Sequence, residues 1–175
     1  KSKTTLQLLQ ERFAPYIGKR VSELARLMNI PVSTNKAFNA NLISAILGVK
    51  GTKLESLREF NKANIKFKTI RLEPNGVPRE HMSFEQIDFN RWIRDDWEES
   101  QIYENFEYTK YLFVVFQYDE TETQNKDREP YLKGIMLWNM PEVVIEHELK
   151  DLWKTTKSIL ETGVELKSVR NGVSN

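Results

Sequence analysis

The chain has 175 residues, 39% hydrophobic and 29% charged, which suits one globular domain with a real core and excludes a disordered or fibrous protein. Having no cysteine, it can form no disulfide, thiolate nucleophile or cysteine-based zinc site, and no apolar run approaches the roughly 18 residues of a membrane span. Its 26 basic and 25 acidic side chains leave a net charge of +1, which does not announce nucleic-acid binding. The charge is uneven, however. Residues 1–80 are rich in lysine and arginine, whereas 85–130 contains DDWEES and DETETQNKDRE, and a basic face beside an acidic flank can still hold DNA. The opening KSKTTLQLLQ lacks the apolar stretch of a secretory signal, so a cytoplasmic protein with no membrane partner is expected. The absence of an initial methionine and the abrupt end at NGVSN suggest a fragment of a longer polypeptide.

In chain order, Leu6, Leu8, Leu9, Phe13 and Ile17 predict one face of a helix that breaks near Pro15. After Gly18, Ser22 is the expected N-cap of a second helix, ELARLM, with Leu24, Leu27 and Met28 inward. A loop, NIPVSTN, leads to a third helix through AFNANLISAIL, which Gly48 should terminate. Ile65, Phe67 and Thr69 alternate with Lys66, Lys68 and Ile70, as a strand requires. EPNG then reads as a hairpin-like turn, with a partner strand near Glu80–Phe84. TKYLFVVFQY is the strongest strand, and after the polar excursion Asp119–Pro130 the segment YLKGIMLWNM is expected to return antiparallel. Pro141 suits the first turn of a long helix with Val144, Ile145, Leu149, Leu152, Trp153 and Ile159 inward, ending near Gly163. VELKSV is expected as a last strand and Arg170-Asn171-Gly172 as a turn, giving one mixed α+β domain over 1–175.

Metal-dependent nucleases commonly use an acid from one segment and Glu-x-Lys on the following strand, where alternation puts both side chains on one face. Here the strand reads Lys66-Phe67-Lys68, with Glu59 upstream. Two ammonium groups repel a divalent cation, so charge alone makes this a poor metal site. Glu165-Leu166-Lys167 is a literal Glu-x-Lys with Asp151 upstream, but the long apolar-striped helix lies between them, and a half-exposed strand with its charges outward is the favoured reading. His81 and His147 have no partner at ligand spacing, and the phosphate-loop and nucleophile-elbow motifs are absent. Trp92, Trp97, Trp138 and Trp153 are expected in the core rather than as a base-stacking platform.

The segments GKRVSELARLMNI, LISAILGVKGTKLESLREFNKANIKFKTIRL, DDWEES, IMLWNMP and VELKSVRNG follow one another as in MutH-like endonucleases, which the chain resembles over nearly its whole length. The resemblance implies a restriction-endonuclease-like α/β fold, with a mixed central sheet flanked by helices and a DNA cleft. The family's catalytic aspartate falls on Glu59, its Glu-x-Lys on Lys66 and Lys68, its helix glutamate on Ser44 and a further lysine near Asn105. Only Lys68 keeps the family's residue type. The DNA-contact positions fall on Lys36, Phe84, Arg170 and Gly172, and Lys68 can still meet a phosphate. An arginine can bond guanine bidentately, and a glycine lets backbone approach a base.

The resemblance thus implies a domain without a cofactor of its own, similar to the degenerate C-terminal copy in two-site restriction enzymes. Its implied partners are double-stranded DNA containing GATC and a Mg-dependent catalytic MutH-like domain in the same polypeptide. Two other readings stay open. One is an active Mg-dependent nuclease with a site moved to Glu59 with Glu73 or Glu80; the other is a structural or dimerisation module. Family members continue past the point where this chain stops, with a further strand and recognition loop.

Overall fold

The computed structural model describes residues 3–33, 37–48 and 64–164. By chain position these fall into two compact units, Lys1–Phe84 with Thr109–Asn139 and Glu85–Tyr108 with Met140–Asn175. The expected strand VELKSV, the Arg170-Asn171-Gly172 turn and the glycine-rich turn after Gly48 lie outside the described residues.

The first unit opens with α1 (Thr5–Phe13). Thr4 caps it: its hydroxyl accepts from Gln7 N at 3.2 Å, while Gln7 Oε1 accepts from Thr4 N at 2.9 Å. The pair satisfies two amide groups that a helix start otherwise leaves open. A 3-10 turn, Ala14–Tyr16, carries Pro15 and ends the helix. Only Leu9 and Phe13 of the expected inner face are buried; Leu6, Leu8 and Ile17 are exposed, because this short helix presents a narrow stripe to the core.

The next helix, α2 (Val21–Leu27), starts two residues earlier than expected, with Arg20 rather than Ser22 at the cap. The cause lies far away in sequence. Gly18 N donates to Leu132 O at 2.8 Å, Leu132 N to Lys19 O at 2.9 Å and Val21 N to Pro130 O at 3.2 Å, so the chain is extended up to Arg20. Ser22 instead turns its amide and hydroxyl to the Glu129 carboxylate. Leu24 is buried and Met28 packs against the core, but Leu27 is exposed. The third helix, α3 (Ala37–Ile46), buries Phe38, Leu42, Ile43, Ser44 and Ile46. Gly48 ends it as expected, at φ +77°, a conformation that side chains with a Cβ rarely adopt.

Three strands make the sheet: β1 (Ile65–Leu72), β2 (Lys110–Gln117) and β3 (Tyr131–Trp138). Their order is β1-β2-β3, with β1 parallel and β3 antiparallel to β2. A bulge passes over Lys133, where the partners of Val115 and Phe116 jump from Gly134 to Leu132. The mixed α/β class is the one expected. Leu112, Val114 and Phe116 from β2 pack with Leu132, Ile65 and the inner faces of α1, α2 and α3 in one continuous core. Each such side chain stabilises the fold by about 2 kcal/mol relative to exposure.

The turn after β1 forms as expected, with Gly76 N donating to Glu73 O at 2.8 Å and Glu73 N to Val77 O at 2.8 Å. The partner strand at Glu80–Phe84 does not. Pairing stops after a single bridge, Leu72 to Pro78, and a bond from Arg79 N to Arg71 O at 2.9 Å. Pro78 offers no amide donor, and side chains rather than main chain hold residues 80–84.

In the second unit lie α4 (Phe89–Arg94), a 3-10 turn Trp97–Glu99 and α5 (Gln101–Glu107). Asp88 caps α4 by accepting from Asn90 N and Arg91 N, and Ser100 caps α5 by accepting from Tyr103 N. After Pro141, helix α6 (Glu142–Val144) passes through a π-helical stretch, Ile145–Leu149, into α7 (Lys150–Thr162). Trp92, Trp97, Phe106, Ile145 and Trp153 form this unit's apolar centre, with Trp92 Nε1 donating to Trp153 O at 3.1 Å. Leu152 and Ile159 are exposed against expectation, because Ile145 and Trp153 define a different face of the helix. Trp138, in the first unit, is half-buried rather than core.

Candidate nucleic-acid interface

Alternation along β1 divides its side chains between two surfaces. Ile65 and Phe67 face the helical core, whereas Lys66, Lys68 and Ile70 face the other way. Register places Lys66 beside Tyr111 and Lys68 beside Phe113, and across β2 these meet Trp138 and Met136. The result is an aromatic layer with lysines along one margin. Tyr111 and Phe113 stack at 6.3 Å, and Phe113 and Trp138 at 5.6 Å between ring centroids.

Phe84 closes the margin. It stands edge-on to Tyr111 at 5.6 Å yet stays 42% exposed, an arrangement that leaves part of an aromatic ring open to a ligand. Lys68 Nζ sits 5.1 Å from the Phe84 ring and donates to the Ser83 carbonyl at 2.6 Å. The structure thus brings Lys66, Lys68 and Phe84 to one place. Beside them, on the helical side of β1, a groove of ≈ 830 Å³ is lined by Phe38, Phe67, Arg71, Glu80, Tyr118 and Arg128, among others.

Two carboxylates near this margin are already engaged by guanidinium groups. Arg71 Nε and Nη2 donate to the two oxygens of Glu80 at 2.7 and 2.6 Å. Arg128, whose side chain is 4% exposed, grips Glu73, with Nη2 to Oε1 at 2.8 Å, and its Nη1 also reaches Glu120 O at 2.8 Å. The Arg128 guanidinium lies 4.1 Å from the Tyr118 ring centroid, and Arg79 approaches the same ring at 5.5 Å. The hydrogen bonds from Arg128 hold the Glu73 carboxyl below the usual carboxylate range, and those from Arg71 do the same for Glu80. Neither pair was legible in the sequence: Glu73 and Arg128 stand 55 residues apart, and Arg71 and Glu80 meet only through the turn between them. Tyr111, the aromatic under Phe84, was legible only as a strand residue.

A magnesium ion needs carboxylate oxygens and repels ammonium groups. The described residues around β1 do not fit one, since Lys66 and Lys68 share a face and Glu73 and Glu80 are bound to arginines. Among the described residues, no three His, Asp or Glu side chains are grouped so as to hold a metal ion. Glu59 lies outside the described residues, as do Lys36, Arg170, Gly172 and the Glu165-Leu166-Lys167 tripeptide. Ser44 is 1% exposed within α3, and its hydroxyl has no hydrogen-bond partner among the described residues. Asn105 lies half-buried on α5 in the second unit. His147 is exposed on the π-helical stretch and His81 is exposed beside the groove.

The described sheet is thus mixed, with a lysine-lined, aromatic-backed margin on its first strand. The family model described as DNA mismatch repair enzyme MutH matches residues 51–152, more than half of the chain, and the chain belongs to that family. Among curated proteins, the type II restriction enzyme Sau3AI of Staphylococcus aureus is 31% identical over 180 residues, covering 97% of this chain. The chain spans about a third of that relative's length, 35%. Among the described residues no helix is long and apolar enough to cross a membrane.

Proposed function

We propose that this chain is a DNA-binding effector domain of a GATC-specific type II restriction endonuclease, engaging a second recognition site without cleaving it. The observation that carries the reading is the pair Lys66 and Lys68 on one face of β1, where the family resemblance sets a metal-binding glutamate and a lysine. Replacing the glutamate by lysine turns attraction for a cation into repulsion while leaving a charge suited to phosphate. Phe84, exposed beside Lys68, supplies an aromatic surface at the same margin. A likeness that covers nearly all of this chain but a third of the relative leaves room for a separate catalytic domain, Mg-dependent and MutH-like, in the same polypeptide. Occupancy of this domain then favours one arrangement of the whole enzyme, which is how one site influences another.

The test is a gel shift of the chain with GATC and scrambled duplexes, with and without Mg²⁺. Selective retention of the GATC duplex with no strand cleavage is expected, and retention should fall steeply with salt. Mg²⁺-dependent nicking that disappears on Glu59→Ala would overturn the non-cleaving role. Equal retention of both duplexes would remove the specificity.

A further inference from the structure

We infer that residues 79–84 form a latch on β1, one that must loosen for Lys68 to grip a DNA phosphate; the inference rests on the DNA-binding reading above. After the turn at Gly76 the chain returns along the outer side of β1 but makes no ladder there. Beyond the Arg79 N to Arg71 O bond, side chains of β1 hold it, among them Arg71 through Glu80 and Lys68 through the Ser83 carbonyl. Lys68 and Arg71 are three residues apart on a strand and so point to opposite faces of the sheet. The segment therefore crosses the edge of β1, from the groove beside Arg71 to the aromatic layer, where Phe84 settles on Tyr111.

The chemistry of the second clamp identifies its competitor. An ammonium nitrogen 2.6 Å from a carbonyl oxygen makes the contact it would make with a non-bridging phosphate oxygen, but to a dipole rather than an anion. A phosphodiester backbone is the ligand class that can displace it. Main-chain pairing would make that exchange slow and costly. Here the hold is a side-chain pair that water reaches, with Glu80 52% and Arg71 34% exposed. Such a pair contributes little and opens readily. While the latch is closed, the binding-competent fraction is reduced, and the apparent affinity with it.

The two ends of the Arg71–Glu80 pair allow a test that separates a latch from simple charge. Glu80→Gln and Arg71→Gln break the same pair but change the local charge in opposite directions. Fluorescence anisotropy with a GATC duplex at low salt should show both variants binding about two- to fivefold more tightly. The gain from Glu80→Gln should vanish in a Lys68→Met background. Circular-dichroism melting checks that each variant is folded, and hydrogen exchange on the unmodified chain gives an independent reading: amides 79–84 should lose protection when duplex is added. Tighter binding by Glu80→Gln with weaker binding by Arg71→Gln would mean charge alone, and the latch would be wrong. Duplex retention by the unmodified chain, with both variants and the exchange pattern unchanged, overturns the latch and leaves the DNA-binding reading standing. Failure of every form to retain duplex overturns both.

Discussion

Strands β1 and β2 lie side by side and in parallel, each eight residues long, and they serve different purposes. From Leu112 to Phe116, β2 carries no ionisable group, and Leu112, Val114 and Phe116 are almost wholly buried. Beside it, β1 buries Ile65 alone and leaves its other seven side chains half-covered, three of them cationic. The difference follows from position. A central strand has neighbours on both sides and apolar layers on its faces, whereas β1 is at the edge of the described sheet. Burial is therefore concentrated in β2, while β1 carries the cationic side chains that the proposed DNA-binding role would use.

The contrast breaks first if stability is measured. Leu112→Ala should cost about 3 kcal/mol in urea unfolding, because it empties a site with no exposure, while Lys66→Ala should stay within about 0.5 kcal/mol. Comparable losses would mean that β1 is as structural as β2. On the recognition side, Lys68→Met should reduce duplex affinity about threefold to tenfold at low salt and lower the salt-dependence slope by about one. An unchanged slope would remove Lys68 from the phosphate contacts.

Acid should separate the strands too. Glu73 and Glu80 have folded values below the ordinary carboxylate range through Arg128 and Arg71. Their contribution is complete above the unfolded value, about 4.3, and is lost as pH falls through the lower folded values. Exchange protection around the turn after β1 should therefore drop in acid before that of Leu112–Phe116, and simultaneous loss would contradict this ordering. The smallest expected effect concerns the core beneath β2. Ser44→Ala removes a buried hydroxyl that has no partner among the described residues, and should leave stability unchanged or raise it by up to about 1 kcal/mol. A clear loss would mean that the hydroxyl has a bonding role.

Local signals in the chain carried much of the fold. Gly48 after an apolar helix and the run YLFVVF each favour one conformation, and each did so here. The Ser22 cap failed because pairing of Gly18–Val21 with the β3 region, more than a hundred residues on, set where the helix could begin. The strand at Glu80–Phe84 failed because Pro78 ended the main-chain ladder and side chains took over. Leu27, Leu152 and Ile159 followed helical period but faced outward, since period gives a face and not what covers it.

For the candidate site, the sequence by itself determined the residue types: two lysines at alternate positions on a strand, a phenylalanine after a turn and a helix position carrying serine. That much comes from strand alternation and charge, which are local. Only the tertiary structure decided that Lys68 meets Ser83 and Phe84, that Tyr111 lies beneath them, and that Arg128 and Arg71 neutralise the nearby glutamates. Those contacts join residues from separate segments, and chain separation carries no record of which side chains packing will bring within hydrogen-bond reach.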